Sequence, residues 1–240
     1  MLIGYFKIMN PRQQNLLKII TTQYIKTAQP VSSRFITEAG NFDLSSATIR
    51  NEMAELEEQG YIFHPHTSAG RMPTELGYQF FIENFLDEME LGKKEQTMLE
   101  KSIESFSGFE PKTVKELAKV IAAFSNGAVF AAFSDRDFYY TGIANLFSQP
   151  EFEQRQLVYD LSQVIDHLDR VVGNIFKSIE SDVEIYIGSK NPFSRDCSSV
   201  ITKYKVKKDS GLLGILGPMR MDYQNNVSLL KYGQELINSL

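Results

Sequence analysis

The residues best suited to chemistry form the run Leu44–Met53, which reads Leu-Ser-Ser-Ala-Thr-Ile-Arg-Asn-Glu-Met. Ser45, Ser46 and Thr48 are short hydroxyl residues at a predicted helix start, and either serine is a suitable N-cap. Free backbone N–H groups at such a start bind phosphate oxygens, and small side chains let a nucleic-acid backbone approach closely. The start of this helix is therefore a predicted phosphate contact.

Two longer polar residues, Arg50 and Asn51, follow on the same helix. They project from the face opposite Ile49, Met53 and Leu56, whose spacing places them together on one apolar face. In the major groove of DNA, arginine pairs with O6 and N7 of guanine, and asparagine pairs with N6 and N7 of adenine. The pattern predicts a DNA-reading helix. A solvated helix face has the same composition, so the helix alone leaves both interpretations open.

A polar loop after this helix carries a second set of candidate DNA contacts, namely His66, Thr67, Ser68 and Arg71. These small or basic side chains belong to the tip of a predicted hairpin, where they are placed to contact phosphates or a minor groove. An ordinary polar turn contains the same residue types. Arg34, on the preceding helix, is a further candidate for a phosphate contact.

Other chemistries find little support in the sequence. His64 and His66 have the spacing of a metal-binding pair, but no third ligand lies near them in the chain. His167 lies in a predicted helix beside acidic residues and is expected at the surface. Cys197 has no adjacent catalytic partner, and the sequence contains neither a glycine-rich phosphate loop nor a nucleophile elbow. We therefore expect no enzyme activity, no bound metal and no cofactor.

The elements that must position these residues begin at Asn10-Pro11, an N-cap followed by proline at the first helical position. Two more helices are predicted before Gly60, which is a typical helix stop. Short strands are predicted at 61–63 and 71–73, and Thr74 caps a further helix. Three helices followed by a small hairpin are the order of a winged helix-turn-helix domain.

The second half of the chain alternates strands and helices, which predicts an α+β sensor-like domain with antiparallel strands. The charged segment 87–110 is predicted to be a helical linker. A long helix is predicted over 151–180 with a break near Gly173, and Tyr223–Leu240 is predicted to be the closing helix. Strands are predicted at 128–133, 138–143, 183–187, 198–206 and 212–216, after a helix at 112–126.

Composition and charge limit these interpretations. The chain has 240 residues, of which 42% are hydrophobic and 23% charged, as in ordinary globular proteins. Its net charge is −5, but residues 1–77 contain seven basic and seven acidic side chains, so the acidic excess lies in the remainder. The single cysteine excludes an internal disulfide and favours the reducing cytoplasm. No run is both apolar and long enough for a membrane span. Residues 1–10 do not resemble a secretory signal. Either Met1 or Met9 is the expected start of translation.

Taken in order, several motifs of this chain resemble those of the HrcA family, the heat-inducible transcription repressors. They are Leu44–Leu56 with Gly60-Tyr61, His66–Thr74, Gly142–Leu146 with Gln149–Phe152, Ile187-Gly188, Asn191-Pro192, Cys197-Ser198 and Gly217–Tyr223. The resemblance covers most of the chain from about Asn10. It implies a winged-helix domain joined to a GAF-like domain and an inverted-repeat operator in double-stranded DNA. It also implies repression of chaperone genes and regulation by a GroEL-type chaperonin.

One departure from the family concerns assembly. The family carries a dimerising segment inserted in the GAF-like domain, and here a short turn at Asp135–Asp137 takes its place. We still expect a homodimer, formed by the GAF-like half or by the helical segment 74–106. The predicted domains are a winged helix at 1–86, a helical linker at 87–110 and a GAF-like regulatory and dimerisation domain at 111–240.

Two other functions fit the same sequence. One is a small-molecule-responsive regulator acting through the GAF-like half, which a thermal-shift screen against metabolites would detect. The other is a winged-helix module that binds a protein instead of DNA, which a mobility-shift assay with inverted-repeat DNA would distinguish from a repressor. The operator sequence, the regulated genes and the inducing signal are left open by the sequence.

Overall fold

The computed structural model describes residues 9–40, 42, 44–66, 69–87, 89–106, 108–153, 155–179, 182–207 and 209–240, without the side chain of residue 169. The chain divides into two compact units, Met1–Leu86 and Asp87–Leu240. We call them the N-terminal unit and the C-terminal unit. None of the described helices combines the length and apolar character needed to cross a membrane. The predicted contacts Thr67 and Ser68 lie outside the described residues.

The N-terminal unit has the predicted order of elements. Its helices and strands are α1 (Pro11–Thr27), α2 (Ser33–Glu38), α3 (Ser46–Glu58), β1 (Ile62–Phe63), β2 (Met72–Pro73) and α4 (Glu75–Phe85). The helices begin where the sequence places N-caps, because the side chains of Asn10, Ser32, Ser45 and Thr74 each accept a hydrogen bond from a backbone N–H three residues on. The apolar faces of the helices meet in one core that contains Leu17, Ile20, Ile36, Met53 and Leu56.

A third extended segment joins the β1–β2 hairpin. Val31 and Arg71 exchange two backbone hydrogen bonds of 2.8 Å each in an antiparallel bridge. Gly70 makes this approach possible, since a Cβ there would lie 2.4 Å from the carbonyl carbon of Val31. The base of the hairpin is thereby fixed to the segment between α1 and α2.

The C-terminal unit is a five-stranded antiparallel sheet with helices on both faces, so the predicted α+β class is observed. The strand order is β4-β3-β7-β6-β5, with an antiparallel register from Cys197↔Pro218 to Val206↔Asp209 between the two long central strands. The strands are β3 (Ala128–Ala132), β4 (Phe138–Thr141), β5 (Val183–Ile187), β6 (Cys197–Val206) and β7 (Asp209–Pro218). The helices are α5 (Lys93–Ile103), α6 (Pro111–Ser125), α7 (Ile143–Phe147), α8 (Arg155–Asp166), α9 (Leu168–Ser178) and α10 (Tyr223–Asn238).

Alternate residues of the central strands serve the two faces of this sheet. On one face, Phe130 and Leu212 belong to an apolar cluster with Leu161 of α8 and Val172 of α9. On the other face, α6 and α10 pack against the strands, and Gly233 of α10 lies close to a leucine of β7. The core therefore has two layers, one on each side of the sheet.

Gly214 makes room for an aromatic ring in the first of these layers. A Cβ at this position would lie 2.3 Å from Cζ of Phe130. That ring cannot move freely, because it is buried and its centroid is 5.1 Å from the ring of Phe193.

We therefore expect Gly214→Ala to lower the free energy of unfolding by about 1–3 kcal/mol, the usual cost of overpacking a core. Urea unfolding followed by circular dichroism measures this change. Gly108→Ala is the matched control, since nothing lies within 4 Å of a Cβ built at that position. Equal losses in the two variants would contradict the packing role of Gly214.

Two sequence predictions differ from the structure. The predicted linker 87–110 contains α5, which packs on α6 within the C-terminal unit and buries Leu99 completely. The predicted helix over 151–180 breaks at His167 instead of Gly173, which lies inside α9. A Cβ at Gly173 would approach the carbonyl oxygen of Asp135 to 2.9 Å, so this glycine permits a close approach and does not end the helix.

Candidate nucleic-acid interface

The start of α3 combines a helix cap with exposed hydroxyl groups. Ser45 Oγ accepts a hydrogen bond from the backbone N–H of Thr48 at 3.2 Å and lies 3.0 Å from Thr48 Oγ1. Ser46 Oγ lies 3.2 Å from Ser33 Oγ, so this hydroxyl joins α3 to α2. Of the three predicted contacts, Ser45 and Thr48 remain at the surface, while Ser46 is engaged between two helices.

Arg50 and Asn51 are both exposed, as their sequence positions predict. Neither side chain has a hydrogen-bond or ion-pair partner among the residues that the structure describes. Their helix is held by Ile49, Met53 and Leu56, which are each at most 1% exposed. A helix packed on the core thus presents a guanidinium and a carboxamide to solvent at consecutive positions.

Two acidic residues of α3 are bonded to side chains of α1. Glu52 forms an ion pair with Arg12, and Glu55 Oε2 accepts a hydrogen bond from Gln13 Nε2 at 2.9 Å. Both partners belong to α1. Glu52 is buried in this contact, whereas Glu55 stays exposed although it is bonded to α1.

Arg34 is highly exposed, with 83% of its side chain accessible, and it has a partner. Its Nε donates to Glu38 Oε1 at 2.7 Å, four residues along α2. The hydrogen bond and the charge of Glu38 raise the pKa of Arg34, which stays positively charged in any case. A surface pair of this kind contributes little to stability, so a phosphate can replace the carboxylate.

Two of the DNA contacts predicted in the hairpin, His66 and Arg71, differ in their exposure to solvent. His66 is exposed and its carbonyl oxygen accepts a hydrogen bond from the N–H of Ala69. Arg71 is directed inward: its side chain is 13% exposed, and its Nη2 donates to Glu57 Oε2 at 3.1 Å. Its Nε is buried without a partner among the described residues. The expectation that Arg71 lies at the exposed tip of the hairpin is therefore wrong, because its side chain is mostly buried and paired with Glu57.

Glu57, which sequence reasoning missed, connects α3 to both arms of the hairpin. Its Oε1 accepts a hydrogen bond from His64 Nδ1 at 2.6 Å, opposite the contact with Arg71. Burial alone would raise the pKa of Glu57, but the hydrogen bond from His64 and the charge of Arg71 outweigh it and lower the pKa. No spacing rule could have found this set, because His64 and Arg71 are brought to Glu57 by the path of the hairpin.

In the C-terminal unit, two sequence motifs meet at Arg220. Its Nε donates to Glu151 Oε1 at 2.6 Å and its Nη2 donates to Gln149 Oε1 at 2.8 Å. Asp222 caps α10 by accepting a hydrogen bond from the N–H of Asn225. These contacts hold the turn after β7 to the segment after α7, so we assign the motif around Arg220 a structural role.

The residues considered for catalysis or metal binding lie apart from one another. His167 is an exposed residue at the start of α9. Cys197 is fully buried, and burial raises the pKa of its thiol to about 12, so the reactive thiolate is scarce at neutral pH. Across the described ranges, no three His, Cys, Asp or Glu side chains lie close enough to hold a metal ion.

Comparison with known families assigns the chain to one of them. A family model described as the HrcA protein C-terminal domain matches residues 78–227, which is more than half of the chain. The chain belongs to the HrcA family. A solved structure, described as a hypothetical protein at 2.2 Å resolution, has the same fold: the TM-score is 0.75 at 19% identity, covering 96% of this chain and 99% of that one.

Relatives named heat-inducible transcription repressor HrcA match the chain over different lengths. The one from Natranaerobius thermophilus is 46% identical over 114 residues, which cover 48% of this chain and 32% of the relative. The relatives from Carboxydothermus hydrogenoformans and Clostridioides difficile are each 25% identical to this chain. Their alignments include 97% and 96% of this chain, respectively, and 99% of each relative. The first of these two alignments extends over 339 positions, so about 100 positions of that HrcA relative have no counterpart in the 240 residues here.

Proposed function

We propose that this chain is a heat-inducible transcription repressor whose N-terminal unit is a winged helix that reads an inverted-repeat operator. The observation that carries the proposal is the pair Arg50 and Asn51, which are exposed and have no partners among the described residues, whereas Glu52 and Glu55 of the same helix are bonded to α1. These two side chains have the donors and acceptors that discriminate guanine and adenine in the major groove.

The remaining contacts position the helix on the DNA backbone. Ser45 and Thr48 lie at the N-terminus of α3, where N–H groups and hydroxyls suit phosphate oxygens. Arg34 binds a DNA phosphate in place of its partner Glu38. His66 contacts the DNA backbone from the hairpin, and Thr67 and Ser68 are proposed contacts on the basis of the sequence alone. These contacts fix the register of the protein on DNA and carry no sequence information themselves.

Operator binding requires two copies of the chain. Residues 1–77 have seven basic and seven acidic side chains, so one N-terminal unit lacks the net positive charge that supports binding of DNA. Two recognition helices held by a homodimer occupy half-sites about one helical turn, or a multiple of it, apart. We assign dimerisation and regulation, including contact with a GroEL-type chaperonin, to the C-terminal unit, and we place the repressor in the cytoplasm.

Selection of duplexes from a randomised DNA pool tests the proposal, because it finds a preferred sequence without assuming one. The full chain should enrich an inverted repeat, and a mobility-shift titration should then give a much higher affinity for that repeat than for a scrambled duplex of equal length. Recovery of no common sequence, with equal affinity for the two duplexes, would refute the repressor function.

A further inference from the structure

The carboxylate of Glu57 joins the last turn of α3 to both arms of the β1–β2 hairpin. His64 directly follows β1, and Arg71 directly precedes β2. Both donate to Glu57, at 2.6 Å and 3.1 Å, and the carboxylate is only 31% exposed. One side chain on the helix thus holds the two points at which the chain leaves and re-enters the hairpin ladder.

The hairpin needs such a support because its own ladder is short. Among the described residues, β1 and β2 pair at Ile62↔Pro73 and Phe63↔Met72, and one further backbone hydrogen bond joins Thr74 to Tyr61. A two-stranded hairpin of this length is not stable by itself. The bridge to Val31 fixes Arg71 on one arm, whereas on the other arm His64 is held by Glu57.

We propose that Glu57 is a positioning residue that fixes the hairpin relative to the recognition helix, and that Arg71 acts through Glu57 instead of binding a phosphate. The inference rests on the proposed DNA-binding function and deepens it. The guanidinium of Arg71 is placed for this role, since it is mostly buried and its Nη2 donates to the carboxylate. A free phosphate-binding arginine would be exposed, as Arg50 is.

Simple electrostatics and the positioning role predict opposite results for removing this charge. Deleting a negative charge near DNA strengthens binding if the charge does nothing else. Glutamine at position 57 keeps the shape of the side chain, but it has one neutral carbonyl oxygen in place of two charged oxygens, so it cannot accept from both His64 and Arg71. It also loses the charge attraction for Arg71, so the hairpin is held less firmly and operator binding should weaken. Glu58 is the matched control, because it is the neighbouring exposed carboxylate on the same helix.

The experiment is a double-mutant cycle with Glu57→Gln, Arg71→Gln and the double variant, with Glu58→Gln beside it. Glu57→Gln and Arg71→Gln should each weaken operator binding about tenfold. The double variant should bind no more weakly than the weaker-binding single variant, because both substitutions remove the same Glu57–Arg71 interaction. Glu58→Gln should bind the operator as tightly as the unchanged chain or more tightly. The slope of log K against log salt should stay the same in Arg71→Gln.

Distinct results would overturn the inference. If Glu57→Gln binds like Glu58→Gln, Glu57 does not position the hairpin. If the losses of Arg71→Gln and Glu57→Gln add, and the salt slope of Arg71→Gln falls by about 0.9, Arg71 binds a phosphate directly.

His64→Gln provides a second route if Glu57→Gln does not fold, since His64 is 30% exposed and its loss leaves the Arg71 contact in place. It should reduce the preference for operator over random DNA about threefold, while its melting temperature changes little; an unchanged preference would also overturn the inference. Failure of the unchanged chain to prefer the operator would refute the proposed function instead.

Discussion

Arg50→Ala should weaken operator binding by about 1–3 kcal/mol, which is the usual contribution of one arginine that pairs with a guanine. The side chain is exposed on α3, while the residues that hold the helix, Ile49 and Met53, are buried on the opposite face. Its removal should therefore take away the proposed base contact and leave the core intact. A mobility-shift titration at constant salt concentration measures the loss.

The control for Arg50→Ala is Lys26→Ala, which removes the same charge from an exposed position in the last turn of α1. It should change operator and random DNA binding by similar, small factors, as expected for a distant cation. Arg50→Ala should instead reduce the discrimination between the operator and a duplex altered at one base pair. Equal effects of the two variants would refute base reading by Arg50, and a large fall in the melting temperature would make Arg50 a structural residue.

Separating the two units should lower the affinity for the operator more than Arg50→Ala does. We expect the isolated N-terminal unit, Met1–Leu86, to bind the operator at least about 100-fold more weakly than the full chain. In a dimer, binding of the second half-site is intramolecular, which raises the overall affinity without any new contact. Titration of both proteins against the same inverted-repeat duplex measures the difference.

Fusion of Met1–Leu86 to a dimeric coiled coil is the control for that loss. It should recover much of the affinity, because it restores the second half-site without restoring the C-terminal unit. Sedimentation should show the full chain and Asp87–Leu240 as dimers at micromolar concentration. A full chain that is monomeric both free and on the inverted repeat would refute the dimeric arrangement and leave binding to single half-sites.

The sequence determined the local structure of this protein well because the interactions involved are short in sequence. The N-cap bonds of Asn10 and Ser45 join residues three positions apart, so residue types alone predict where α1 and α3 begin. The spacing of Ile49, Met53 and Leu56 likewise predicted the buried face of α3, and with it the exposure of Arg50. The ordered motifs also identified the family that the comparison then confirmed.

Only the tertiary structure decided which charges face inward and how the strands are ordered. Arg12 and Glu52 are 40 residues apart in the chain, and Arg220 and Glu151 are 69 apart. The strand order β4-β3-β7-β6-β5 places a late strand beside an early one. The sequence places Arg71 among the exposed residues of the hairpin tip, because its partner Glu57 becomes its neighbour only when the hairpin folds back onto α3. Charge pairing of this kind depends on the path of the whole chain. Residue types and local spacing do not predict that path.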